Sequence, residues 1–273
     1  MGYFDVVQDE FRKAGILEDV EKESLRNTQG LKWRKPKDGG YLAELPGGPN
    51  PNQGPLQLGQ HDVAKIILRH LEKYSHVEVN FGHTLKTLEQ SEADGTVITG
   101  YSVDGKENTR SHTSRFLVGS DGGKSTARQL LGVRLEGFTW EDFQMAAVNI
   151  DYDLGAYGWA PGNAVVGDDV WAIVANIAEG TLWRVAYGIS SAELDPEEPF
   201  DEEREQLRCR QKLAKILPGP THQAEIKMLS LYQPRQMCAT AFVQGRVALA
   251  GDSAHVSPAS FLHPSTLVKD AGR

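Results

Sequence analysis

The sequence predicts an α/β protein in which a parallel-type half is interrupted by a mostly antiparallel, β-rich half. Three observations predict it. Phe116-Leu117-Val118 is a short apolar run followed by glycine and then by a helix-like stretch, Ser125–Leu131, the order seen where a buried strand feeds a helix. Val247–Ala250 is a second apolar run, and it ends in Gly251-Asp252; open α/β sheets bind ligands at the carboxyl ends of such strands. Between them, Phe143–Ile150, Val170–Ala175 and Leu182–Ile189 are strand-like pieces separated by Gly, Asp and Asn, the texture of an antiparallel sheet. On this division residues 1–135 and 235–273 form the first half and residues 136–234 the second.

Taken in order, residues 3–23 read as a helix with Phe4, Val7, Phe11, Ala14 and Ile16 near one face and Gly15 as its break. Pro36–Pro55 is rich in Gly, Pro and Asn and reads as a long loop. Leu56–Leu58 suits a short strand, and His61–Tyr74 is an amphipathic helix with Val63, Ile66, Ile67 and Leu71 on one side. Val77–Phe81 alternates as a strand does; Leu85–Gln90 and Thr96–Val103 flank Ala93-Asp94-Gly95 as a hairpin. Gly132 ends the helix begun at Ser125. Asp201–Leu217 is a helix with Asp201 as N-cap and Pro218-Gly219-Pro220 as its stop, and Glu225–Leu231 is a further strand. No internal repeat is visible.

Composition narrows the function classes. Of 273 residues, 40% are hydrophobic and 24% charged, as in soluble globular proteins. A net charge of −8 without a basic tract argues against nucleic-acid partners. No apolar run approaches the ~20 residues of a membrane span, and no leader-like segment opens the chain. A cytoplasmic protein with no membrane partner is therefore expected. Cys209 and Cys238 lie far apart with no CxxC, so both are expected to be reduced, structural thiols. The acidic stretch Glu193–Glu205 reads as a solvated loop and helix start.

Two segments carry chemistry. In the first, the strand ending at Gly119 runs into Ser120-Asp121-Gly122-Gly123-Lys124 and then a helix. Such a turn brings backbone N–H groups and a helix N-terminus toward a phosphate, while Asp121 suits accepting bonds from a ribose or from loop amides. In the second, Asp252 follows a strand end, where its carboxylate could accept bonds from a polyol. Each segment alone is equally a plain turn, with Ser125 or Asp252 capping the next helix. His255 reads as structural, and a His255–His263 metal pair lacks a third ligand. Arg184 and Tyr187 fall on opposite faces of their strand, so at most one of them meets a ligand.

Together the segments resemble those of the flavin-dependent aromatic hydroxylases (group A flavoprotein monooxygenases), and within them the phenol hydroxylase-like branch. Gly119, Asp121, Gly122, Ser125 and Arg128 match the family's GxDGxxSxxR; Gly245, Arg246, Val247, Leu249, Gly251, Asp252, Ala254 and His255 match its GRVxLxGDxAH. Gln60 with the helix after it resembles the family's Gln-plus-helix element. Phe138–Phe143 and Leu182–Gly188 resemble stretches of its substrate-side sheet. The resemblance covers most of the chain. It implies an FAD-binding, Rossmann-like domain, incomplete here, carrying an inserted antiparallel substrate domain. It also implies FAD as cofactor, NADPH or NADH as co-substrate and a small aromatic substrate, and it leaves a homodimer open. By the same resemblance Gln60 touches the flavin, Asp121 and Gly122 serve the pyrophosphate side and nicotinamide use, Gly251 allows close backbone approach and Asp252 holds the ribityl chain.

The sequence departs from the family at both ends. The opening strand, GxGxxG turn and helix are missing, which is expected to leave neighbouring strands unpaired. After Pro258 the family's Gly-rich stretch is replaced by Ala259–Pro264, with Leu267–Ala271 faintly resembling the helix that follows. The expectation is an incomplete or mis-joined gene product; the alternative is a short, non-catalytic relative with weak or no FAD binding.

Overall fold

Alternating apolar residues over Phe143–Asp151 and Leu182–Ser190 build the centre of a seven-stranded sheet in the computed structural model, which describes residues 2–37, 40–47, 50, 53–106, 109–190, 193 and 201–257. The sheet runs Glu225–Tyr232, Phe143–Asp151, Leu182–Ser190, Trp171–Asn176, Gly162–Val166, Leu31–Arg34 and Tyr41–Leu45. Its pairings are antiparallel except that of Gly162–Val166 with Leu31–Arg34. Period-two alternation sends Ala146, Val148, Ile150, Trp183, Val185 and Tyr187 to one face, where the Glu202–Ile216 helix covers them with Cys209, Leu213 and Ile216. Asp201 caps this helix by accepting from the Arg204 amide at 2.9 Å. Glu202, Glu203 and Glu205 in the first turn favour its dipole.

By compactness this sheet belongs to one unit, residues 1–70 with 140–234, and the remaining residues to a second, 71–139 with 235–273. Residues 1–70 thus gather with the β-rich segment, whereas the sequence texture groups them with the first half. In the first unit, residues 3–23 form two helices, Asp5–Lys13 and Leu17–Glu23, and Gly15 takes φ +71 at the break. The long loop expected over Pro36–Pro55 is interrupted by the strand Tyr41–Leu45. All of its residues are exposed, so no burial pattern marks it. Leu56–Gln57 lies between Gly2–Tyr3 and Leu25–Arg26 in a small antiparallel sheet. The amphipathic helix runs Gln60–Leu71 with Val63 and Ile66 buried.

The second unit holds the expected hairpin, His83–Ser91 with Thr96–Val103, extended by a third strand, Thr109–Ser114. That third strand is polar and mostly exposed, so apolar alternation gives no sign of it. Leu135–Thr139 pairs with Arg235–Ala239, which moves Phe138 and Thr139 out of the substrate-side sheet and into this unit. The parallel element is a single pair, Leu117–Gly119 beside Val247–Leu249. Two expectations fail here. Val77–Phe81 alternates but pairs with nothing among the described residues, leaving Phe81 74% exposed, and Phe116–Val118 is not buried, with Phe116 and Val118 each 62% exposed. Leu117–Gly119 is the edge of its three-stranded sheet, and among the described residues it pairs only with Val247–Leu249. The Ala259–Pro264 stretch, His263 and the Leu267–Ala271 helix lie outside the described residues.

Candidate functional site

The Asp-Gly turn is shaped by its own side chains. Asp121 turns its carboxylate into the loop and accepts from the Ser125 hydroxyl at 2.5 Å and from the Thr126 and Ala127 amides at 2.6 and 3.0 Å. Ser125, fully buried, in turn accepts from the Arg128 amide at 3.0 Å and so caps the short Thr126–Leu130 helix. Gly122 adopts φ +83, a backbone state that side chains resist. Gly119 sits where an added Cβ would stand 2.7 Å from that of Ala127, so only glycine lets helix and strand approach this closely. Burial alone would raise the Asp121 pKa; the bonds from Ser125, Ala127, its own amide and Thr126 outweigh that and hold it below the usual carboxylate range.

A depressed native pKa gives stability that is present above the unfolded-state value and is lost as pH falls through the native one. Asp121→Asn is accordingly expected to weaken the second unit at neutral pH and to flatten the acid limb of its stability curve. Chemical denaturation between neutral and acid pH checks this, and a steeper acid limb would refute it.

The Gly-Asp turn follows the neighbouring strand. The pair is in register at Leu249 opposite Gly119, so both turns leave from the carboxyl ends of adjacent parallel strands. Gly251 takes φ +61 in a short 3-10 turn, Gly251–Ser253. The two turns are tied together directly. The Gly119 carbonyl accepts from the Ala250 amide at 2.9 Å and lies 2.5 Å from the Ser253 hydroxyl. Buried Arg128 donates to the Ser253 carbonyl at 2.9 Å and to the Gly123 carbonyl at 2.8 Å. Arg128 and Ser253 are the residues that sequence reasoning left without a role. The readable signal was an arginine within the motif, three residues after the helix cap Ser125.

The two acidic residues end up different. Asp121 is committed to its own loop, whereas Asp252 is exposed and its carboxylate has no hydrogen-bond partner among the described residues. Asp252 is therefore the group able to accept bonds from a bound polyol. Asp121 lines a cavity of about 900 Å³ with Gly119, Ser120, Thr126, Leu85 and Tyr101, and Asp252 is not among the residues lining it. Gln60 is the exposed first residue of its helix, in the other compact unit. His255 pairs with Cys238 and stacks its ring on Phe242 at 6.3 Å. Tyr187 faces the long helix and is buried at 2% exposure, while Arg184 lies on the opposite face.

The chain resembles known proteins over this whole architecture. The family model described as an FAD binding domain matches residues 8–261. Para-nitrophenol 4-monooxygenase of Pseudomonas sp. (strain WBC-3) is 34% identical over 204 residues, 74% of this chain and 48% of the relative. A 3-(3-hydroxy-phenyl)propionate/3-hydroxycinnamic acid hydroxylase of Mycolicibacterium gilvum (strain PYR-GCK) is 30% identical over 190 residues, 69% of this chain and 30% of the relative. The crystal structure of p-nitrophenol 4-monooxygenase from Pseudomonas putida DLL-E4 superposes with a TM-score of 0.81 at 29% identity, over 93% of this chain and 62% of that one. This chain thus spans about half the length of the first of these relatives. With its two clamped turns and a family model that covers nearly all of it, the chain belongs to the FAD-binding family of flavin-dependent aromatic hydroxylases.

Proposed function

We propose that the chain serves an FAD-dependent monooxygenase that uses NADPH or NADH and oxygen to hydroxylate a small phenolic substrate. The observation that carries this reading is the pair of turns on adjacent parallel strands, locked by Arg128, with the Asp252 carboxylate unbonded among the described residues. The residues fit FAD in chemical kind. Asp252 offers an acceptor to ribityl hydroxyls and Gly251 offers backbone without a side chain in the way; the Asp121–Gly122 turn, whose helix-start amides are taken by Asp121 and Ser125, is proposed for the pyrophosphate side from the residue match alone. Gln60 is proposed to contact the flavin, from the residue match alone. Bound FAD would carry electrons from the nicotinamide to oxygen; the chain's own work is to hold the cofactor, orient the ring to be hydroxylated and exclude water. The relatives named for nitrophenol and hydroxyphenylpropionate support a phenolic substrate. Two free cysteines fit a cytoplasmic setting, and no described helix is long and apolar enough to cross a membrane.

The test is spectroscopic and enzymatic. Purified chain dialysed with FAD should stay yellow and should consume NADPH or NADH faster when 4-nitrophenol is added. A second reading, a folded but non-catalytic domain with weak or no FAD binding, is favoured by one observation: the exposed edge at Phe116 and Val118 beside the proposed pyrophosphate turn. A colourless, folded protein that ignores FAD would support that reading and contradict the first.

A further inference from the structure

The seven-stranded sheet has two unlike faces. One is sealed by the long helix. On the other, register aligns Asn149 with Arg184 and Met228, Ala147 with Ala186 and Ser230, and Met145 with Gly188 and Tyr232. The middle of this face is built of small residues, Ala147, Ala175, Ala186, Gly188 and Ser230. Phe143 and Trp171 stack over Gly188 with ring centres 6.1 Å apart. Arg184 lies on the same face between Asn149 and Ala175, four residues along its strand from Gly188, and its Nε donates to Asn149 Oδ1 at 2.9 Å. Its remaining N–H groups make no hydrogen bond among the described residues, and none of its nitrogens is sealed from solvent without a partner. Burial lowers its pKa, with Tyr232 and then Tyr3 acting the other way, and no carboxylate bonds it among the described residues. A half-buried guanidinium with no carboxylate and with unused donors is matched by an incoming anion, which its planar fork can bind with two hydrogen bonds. The small side chains of Ala175 and Ala186 beside Arg184 give a flat ring a shallow floor next to the guanidinium.

We propose that Arg184 orients the anionic oxygen of a phenolate substrate on this face, with Asn149 as the positioning residue that fixes the guanidinium. The inference rests on the phenolic reading above and identifies the group that selects the ionised substrate. It is tested on the full chain by titrating 4-nitrophenol, above its pKa, against the uncharged isostere 4-nitroanisole, with FAD affinity measured in parallel. The wild-type chain should prefer the phenolate. Arg184→Gln should reduce that preference at least tenfold while leaving 4-nitroanisole and FAD affinity unchanged, and Arg184→Lys should recover part of it. Asn149→Asp, which keeps the bond to Nε but neutralises the guanidinium, should lower phenolate affinity with the fold intact; this variant decides the matter if Arg184→Gln does not fold. Lack of phenolate preference in the wild type, or an undiminished preference in Arg184→Gln and Asn149→Asp, overturns the proposal. So does a loss of FAD affinity at constant preference, which would give the guanidinium to the flavin. A chain that prefers phenolate through Arg184 yet binds no FAD would uphold this inference while sinking the monooxygenase reading.

Discussion

Replacing Arg128 with alanine is expected to unfold the second unit at temperatures well below those the wild type tolerates and to abolish FAD binding with it. The side chain is buried at 6% exposure and donates to two carbonyls, Ser253 and Gly123, one in each turn. Hydrogen bonds from charged donors contribute about 1.5–3 kcal/mol each, and carbonyls left behind unpaired add to the loss. A destabilisation of roughly 3 kcal/mol follows, which for a domain of this size lowers Tm by roughly 10–20 °C. Arg128→Lys should recover little, because a single ammonium cannot reproduce a fork that spans two carbonyls. Thermal denaturation of the three proteins checks the ordering; an Arg128→Ala variant as stable as wild type would show that the clamp contributes nothing.

Asp252→Ala is expected to abolish FAD binding with almost no change in stability. Its carboxylate makes no hydrogen bond among the described residues, so the fold loses little when it goes. A bound polyol would lose charge-assisted hydrogen bonds, and an affinity loss of about a hundredfold or more corresponds to roughly 3 kcal/mol. Asp252→Asn should fall between the two, since it keeps an acceptor and loses the charge. Unchanged flavin affinity in the alanine variant would remove Asp252 from the site. The contrast with Arg128 is diagnostic: one residue builds the site and the other is free to use it.

The parts of the fold that bury an apolar face were legible in the sequence. Phe143–Asp151, Leu182–Ser190, Gln60–Leu71 and Glu202–Ile216 all pack one face on a core, and their periodicity shows it. Tyr41–Leu45 and Thr109–Ser114 were missed because they are held by backbone pairing with little burial, so no side-chain pattern records them. Val77–Phe81 and Phe116–Val118 failed in the opposite way. Their apolar pattern is that of paired, buried strands, and the described chain offers neither segment enough neighbours to bury it. At the site, the glycines and carboxylates were legible as motif letters. Which carboxylate stays free was not, since it depends on three short bonds inside one turn. The clamp through Arg128 and Ser253 joins residues 125 positions apart, beyond the reach of any local pattern.

Amide hydrogen exchange of the full chain, with and without FAD, tests most directly whether the two turns act as one cofactor seat. Protection should rise together over residues 120–128 and 250–254 when FAD is added. Protection confined to one turn, or none in either, would contradict the shared seat.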